Sequence, residues 1–140
     1  MMLNMSEDEA RALLRRGHVA RLGCVIDGDP YIVPVNYFSA DDCAYLHSLP
    51  GQKITALRDH PRACLQVDEI EDICHWRSVL AFGAYEELTD REERAHILNE
   101  LFKRFPMLTP IEGAITQDAT PLQVIVFRVK IEKISGVREI

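Results

Sequence analysis

The chain has 140 residues, a length that suits one folded domain, 1–140, rather than two. Hydrophobic residues make up 47% of it and charged residues 27%, proportions that exclude a disordered chain. With 16 basic and 22 acidic residues the net charge is −6, which argues against a general nucleic-acid binder. No apolar run approaches the ~18 residues of a membrane span, and the first residues lack an apolar signal core. We therefore expect a cytoplasmic protein without membrane contact.

The first half of the chain is predicted to contain one helix and then three strands. Ser6 and Glu9 form a capping box at the start of the helix, which should end at Gly17. Asp27-Gly28 is a hairpin turn signal between the first two strands, and Ser39–Asp42 is expected to be a polar turn before the third. The three predicted strands are Val19–Ile26, Tyr31–Tyr37 and Cys43–Ser48.

The second half alternates helices and strands. Gly83 marks a bulge or a point of close approach in a long strand, and Thr89 with Glu92 predicts a capping box. The predicted elements are a helix Gln52–Asp59, strands Arg62–Asp68 and Trp76–Leu88 joined by an acidic connection, a long helix Asp90–Phe105, a loop Pro106–Pro121, and a strand Gln123–Ile131 that Lys133–Ile140 extends or follows. This order predicts a mainly β fold, an antiparallel barrel of six to seven strands with peripheral helices, which we expect to close because closure removes exposed edges.

Four cysteines, at positions 24, 43, 64 and 74, contain no CxxC pair. They therefore predict neither a zinc ribbon nor a thioredoxin motif, and reduced thiols are the simplest interpretation. Adjacent Cys74 and His75 would point to opposite sides of an extended segment, so no metal site is predicted.

The segment from His47 to Lys53 combines a strand that ends in His47-Ser48, a turn at Pro50-Gly51 and a lysine at the start of a helix. A hydroxyl, free backbone N–H groups and one cation suit a phosphate. A capped strand-to-helix turn with a solvated lysine explains the same pattern equally well.

Two further segments could contribute to the same site. Trp76-Arg77-Ser78-Val79 offers a guanidinium, a hydroxyl and a ring that could cover an aromatic ligand, although a tryptophan packed at a barrel mouth is the simpler interpretation. In Pro34-Val35-Asn36-Tyr37, an asparagine within an apolar strand is disfavoured unless its amide is used, and proline interrupts the ladder. Asn36 at a strand end facing water is the alternative.

Together these segments resemble the small bacterial branch of the pyridoxamine-phosphate-oxidase-like split-barrel family, which includes proteins similar to nitroimidazole-resistance reductases. The motifs that carry the resemblance appear in order along most of the chain: Gly28 to Tyr37, His47 to Lys53, Trp76 to Val79, and Ile134-Ser135-Gly136.

The resemblance implies an FMN-binding split barrel and a homodimer with FMN at the subunit interface. On the matching positions, Lys53, Arg77 and Ser48 would hold the phosphate, with Gly51 in the turn and Ser78 nearby. Pro34, Val35, Asn36 and Tyr37 would line the isoalloxazine, with Trp76 and Val79 beside the cofactor. His47 would lie near the ring or the ribityl chain and is the best candidate for a catalytic contact.

The function expected from this resemblance is a flavin-dependent oxidoreductase that acts on a small molecule, either pyridoxamine-phosphate-oxidase-related or nitroreductase-like. A nicotinamide cofactor could donate electrons only by binding transiently, since no GxGxxG loop is present to retain it. The alternative is a module that binds FMN or haem without turnover, as a sensor, carrier or store. A third interpretation is a dimeric barrel that has lost its ligand.

Overall fold

The computed structural model describes residues 1–105 and 124–140. In these residues it has eight strands and three helices. In chain order they are β1 (Met2–Asn4), α1 (Glu7–Arg16), β2 (Val19–Ile26), β3 (Asp29–Asn36), β4 (Phe38–Ala40), β5 (Cys43–Ser48), α2 (Gln52–Asp59), β6 (Arg62–Asp72), β7 (His75–Glu87), α3 (Arg91–Arg104) and β8 (Ile125–Glu139). The predicted loop Pro106–Pro121 and the start of the last predicted strand, Gln123, lie outside the described residues. No helix in the described part is both long and apolar enough to cross a membrane.

All the strands pair antiparallel in one sheet, in the order β3-β2-β6-β7-β8-β5-β4, with β1 added beside β8. The fold is therefore mainly β, as predicted. Within the described ladders β3 and β4 are the two ends of the sheet and do not pair with each other. Tyr37 alone separates β3 from β4 along the chain, so the two ends of the sheet meet at this residue, whose N–H bonds to the carbonyl of His18.

The core lies between the inward side of the sheet and helices α1 and α2. Leu22, Leu65 and Val79 come from neighbouring strands and are at most 2% exposed, because alternate residues of a strand point to the same side. Tyr37 is fully buried, and its hydroxyl donates to the carbonyl of Leu14 at 2.6 Å, which fixes α1 against β3.

A smaller cluster fixes α3 beside β5 and β8. Ile97 and Leu101 of α3 are buried against Phe38 and Val126, and Leu98 packs on them. This packing brings the C-terminal end of α3 close to the end of β5, where Phe102 meets His47.

Several predicted boundaries were wrong. The three-residue strands β1 and β4 were missed because so short a run has no alternation to recognise, and β4 occupies part of the predicted Ser39–Asp42 turn. The predicted acidic connection Glu69–His75 is mostly β6, which continues to Asp72. The cap of α3 is Asp90, whose carboxylate accepts from the N–H of Glu93, rather than Thr89.

Candidate functional site

A cavity of about 410 Å³ opens where the edge strand β3, the end of β5 and the start of α2 meet. It gathers residues from two of the three segments singled out in the sequence. Its lining residues are Val19, Pro34, Val35, Asn36, His47, Ser48, Leu49 and Lys53. The strand-end segment and the phosphate-like segment therefore face one another across a single cavity, which we call the first cavity.

The edge strand supplies one wall of the first cavity. Pro34 and Asn36 project from the outward side of β3, where Val19 of β2 is the register partner of Asn36. Because β3 pairs only with β2 in the described ladders, its other edge is open, and Pro34 has no N–H to offer there. Asn36 is exposed at the strand end, as the alternative interpretation held, and it also lines the cavity.

The end of β5 supplies the opposite wall. Ser48 donates its hydroxyl hydrogen to the carbonyl of Leu49 at 2.9 Å, so its oxygen lies beside the turn that leads into α2. His47 is half-buried, and its ring meets Phe102 of α3 edge to face, with centroids 6.0 Å apart. The ring of Phe102 therefore packs against the imidazole of His47, which lines the cavity.

The start of α2 differs from the starts of the other two helices. Ser6 caps α1 and Asp90 caps α3 with side-chain oxygens, and both helices have acidic residues in the first turn. In α2 the N-cap is Gly51, which makes no side-chain cap bond, and the first turn has no acidic residue. Its first N–H groups therefore lack the usual negative partner.

Lys53 places a positive charge at this same helix start. A lysine there is opposed by the helix dipole unless an anion is also present. Its charge reaches the side chain behind the cavity wall: burial raises the pKa of the Cys24 thiol, and Lys53 acts in the opposite direction. The first cavity therefore combines a cation and uncapped N–H groups with an apolar strand edge.

The structure places the remaining predicted residues elsewhere. Tyr37 is buried in the core, so only its backbone could meet a ligand. Gly51 caps α2 in extended backbone, with open space around it. Trp76 and Arg77 line a different, smaller cavity of about 80 Å³. Ser78 accepts a hydrogen bond from Gln66, and Val79 is fully buried.

Sequence reasoning missed three contributors to the first cavity. Val19 could have been found only from the hairpin register, which places it opposite Asn36. Leu49 lies within the segment from His47 to Lys53, but its apolar side chain gave no reason to assign it to a phosphate site. Phe102 belongs to the predicted long helix, and nothing in the sequence placed that helix beside His47.

Metal ligands do not gather in the described part of the chain. Residues 1–105 and 124–140 hold no group of three or more His, Cys, Asp or Glu side chains that could bind a metal ion. All four cysteines are free thiols, of which Cys43 is buried and Cys74 exposed.

Comparison with known proteins assigns the chain to a family. The sequence profile described as pyridoxamine 5'-phosphate oxidase matches residues 6–138. The chain belongs to the pyridoxamine 5'-phosphate oxidase family. The resemblance predicted from the short motifs is thereby confirmed over nearly the whole chain.

Two proteins are similar to this chain over most of its length. An uncharacterized protein of Rhizobium meliloti (strain 1021) is 38% identical over 104 residues, which are 71% of this chain and 69% of that one. The crystal structure of an FAD-binding protein from Mesorhizobium loti covers 100% of this chain and 99% of its own, at 35% identity and a TM-score of 0.84.

A candidate 5-nitroimidazole antibiotic resistance protein from Bacteroides thetaiotaomicron shares the fold. It is 21% identical, with a TM-score of 0.75, and the alignment covers 99% of this chain and 87% of that one. At this identity the likeness extends to the fold alone.

Proposed function

We propose that this chain binds a flavin in the first cavity through the part that FMN and FAD share. The observation that carries the proposal is the meeting of Lys53 and the uncapped start of α2 with the apolar edge of β3 in one cavity. A flavin needs a positively charged site for its anionic phosphate at one end and an apolar surface for its flat ring at the other. The FAD-binding protein of Mesorhizobium loti, 35% identical over the whole chain, supports the same cofactor class.

The residues of the first cavity fit this cofactor. Lys53, the hydroxyl of Ser48 and the first N–H groups of α2 would hold the phosphate with charge-assisted hydrogen bonds. The amide of Asn36 can donate to and accept from the polar edge of the ring system. Pro34 and Val19 offer apolar surface to its flat face.

When bound, the flavin would supply hydride and single-electron chemistry, and the chain's own residues would position it. His47 lines the cavity and is steadied by Phe102, which makes it the side chain best placed to contact a substrate beside the ring. The apolar groups of Leu49 and Val19 exclude water from part of the same space.

We propose that the chain is an oxidoreductase that acts on a small molecule. Its electron donor would be a nicotinamide cofactor that binds transiently. The test is to load the purified protein with flavin and add a nicotinamide donor without oxygen. We expect the yellow colour to bleach and to return when a nitro-aromatic or other small oxidised acceptor is added. A flavin-loaded protein inert to every donor would instead indicate a non-catalytic FMN or haem module.

We also propose that the chain forms a homodimer with the flavin at the interface. The outward side of the sheet carries half-buried and exposed apolar side chains, which we call the outer apolar face: Ile32, Cys64, Leu80 and Phe82. Within one chain, Trp76 and Arg77 line a cavity separate from that of Lys53. A second copy would let residues of both cavities contact one flavin, as the resemblance implies.

A further inference from the structure

A second large cavity, of about 340 Å³, lies on the other side of α2 between that helix and the tip of the β2–β3 hairpin. Of the segments singled out in the sequence, only His47 to Lys53 reaches it, through Gln52. Its lining residues are Val25, Ile26, Asp27, Gln52, Thr55, Ala56, Asp59 and His60. We call it the second cavity.

The first and second cavities share two structural elements. Neighbouring residues at the start of α2 divide between them, since Lys53 lines the first and Gln52 the second. Strand β2 also spans both, with Val19 in the first and Val25 in the second. Val19 and Val25 are six positions apart, which corresponds to about 20 Å along a strand, a span suited to an extended dinucleotide.

One face of α2 forms the floor of the second cavity. Gln52, Ala56 and Asp59 recur at helical spacing and so point to one side of the helix, together with Thr55. The small side chain of Ala56 leaves room at the centre of this face. Two further side chains line the cavity beside this face of α2. They are the apolar Val25, which is 54% exposed, and the ring of His60, just beyond the helix. This arrangement offers a slot for a flat ring.

The charges of the second cavity select a neutral sugar rather than another phosphate. Asp27 and Asp59 are carboxylates, which accept hydrogen bonds from ribose hydroxyls and repel phosphate. Gln52 can both donate and accept at its edge. By contrast, the cation and the uncapped helix start, where phosphates would lie, belong to the first cavity.

We propose that the second cavity is a subsite for the adenosine half of a flavin dinucleotide, with adenine between Val25 and His60 and the ribose hydroxyls on Asp27 and Asp59. The proposal rests on the flavin function proposed for the first cavity and specifies which flavin is preferred. The pyrophosphate would then cross the start of α2, where Lys53 and the first N–H groups of the helix lie, and the chain would bind FAD more tightly than FMN.

Isothermal titration of the flavin-free full chain with FMN and, separately, with FAD tests this subsite. We expect FAD to bind at least about tenfold more tightly than FMN, the factor expected from a few additional good contacts. Ala56→Phe, which fills the second cavity, and His60→Ala, which removes one wall, should each abolish the preference for FAD and leave FMN affinity unchanged. Ala95→Phe and His96→Ala, at exposed positions of α3, are the matched controls.

The outcomes separate the subsite from the function on which it depends. If FMN and FAD bind equally well to the unaltered chain, or if Ala56→Phe weakens both alike, the subsite is wrong while the flavin site stands. If neither flavin binds, both proposals fail. A preference for FAD that disappears only in Ala56→Phe and His60→Ala supports the subsite.

Discussion

Lys53 lies at the start of α2, where the helix dipole is positive and where the other two helices instead carry acidic residues. Its placement is unfavourable for the helix itself and favourable for an anion in the first cavity. The lysine is therefore the residue on which the proposed phosphate contact depends most strongly.

Replacing Lys53 with alanine is expected to weaken flavin binding by about 1.5–3 kcal/mol, the value of a charge-assisted hydrogen bond. This corresponds to a dissociation constant raised by about ten- to 150-fold. Isothermal titration with FMN measures it directly. Lys103→Ala, which removes an exposed lysine of α3, should leave the affinity unchanged. Equal affinity of Lys53→Ala and the unaltered chain would remove the phosphate assignment.

Some of the site residues could be predicted from sequence and others could not. The segment from His47 to Lys53 is continuous, so its residues stay together however the strands pair, and the structure places His47, Ser48 and Lys53 in one cavity. Arg77 is far away in the sequence. Whether it joins Lys53 depends on strand pairing or on a second chain, neither of which local pattern can reveal.

At the scale of elements, the bulge between β7 and β8 has a steric cause. The register shifts between Phe82 and Gly83, and a Cβ atom at Gly83 would lie 2.1 Å from the carbonyl oxygen of Lys130. Backbone of the neighbouring strand therefore occupies the space of a side chain, as the sequence-based prediction of a close approach at Gly83 anticipated.

Gly83→Ala should accordingly lower the free energy of unfolding by about 2 kcal/mol or more, because backbone must move to accept the methyl group. Urea unfolding followed by circular dichroism measures the change. Gly51→Ala is the matched control, since that residue has extended backbone and open space around it, and its effect should be small. Equal stability of the two variants would contradict the close approach.

A carboxylate joins β7 to α2. Glu87 accepts hydrogen bonds from Arg58 and, at 2.8 Å, from the hydroxyl of Tyr85. The Arg58 bond holds the pKa of Glu87 below its ordinary value of 4.5. The interaction therefore stabilises the fold above that pH, and its contribution is lost as pH falls through the lower pKa of the folded state.

Glu87→Gln should therefore make the chain less sensitive to acid. We expect its free energy of unfolding to fall less steeply than that of the unaltered chain below pH 4.5, measured by urea unfolding at several pH values. Glu92→Gln, at an exposed position in the first turn of α3, serves as the control. A Glu87→Gln chain as acid-sensitive as the unaltered one would contradict this role.

The elements that the sequence predicted well are those with strong local signals. Val19–Ile26, Cys43–Ser48 and Gln52–Asp59 have the same bounds in the structure, because alternation, helical spacing and flanking turn residues all agree there. Strand β1 exists only because β8 offers it an edge, with Leu3 opposite Arg138. No local pattern specifies such a pairing, and the same holds for β4 beside β5.

At the scale of the whole molecule, the outer apolar face predicts self-association. Ile32 of the edge strand β3 is 69% exposed, and its register partner Gly23 lies in close contact with the sulfur of Cys64. Apolar side chains that share one side of a sheet in this way are typical of an interface. A twofold dimer would cover the same face on both copies.

Light scattering coupled to size exclusion tests this association. We expect twice the monomer mass of 16.0 kDa for the unaltered chain, and monomer for Ile32→Asp, which places a charge on the outer apolar face. Ile73→Asp, in the β6–β7 turn and 92% exposed, should remain dimeric. A monomeric unaltered chain would contradict the dimer.

The central claim is that this member of the pyridoxamine 5'-phosphate oxidase family binds a flavin in the first cavity. The most direct test is an absorbance spectrum of the purified protein after addition of flavin and thorough desalting. Oxidised-flavin bands that survive desalting, and that are lost in Lys53→Ala, are the result this account predicts. A flat visible spectrum after both FMN and FAD have been offered would contradict it.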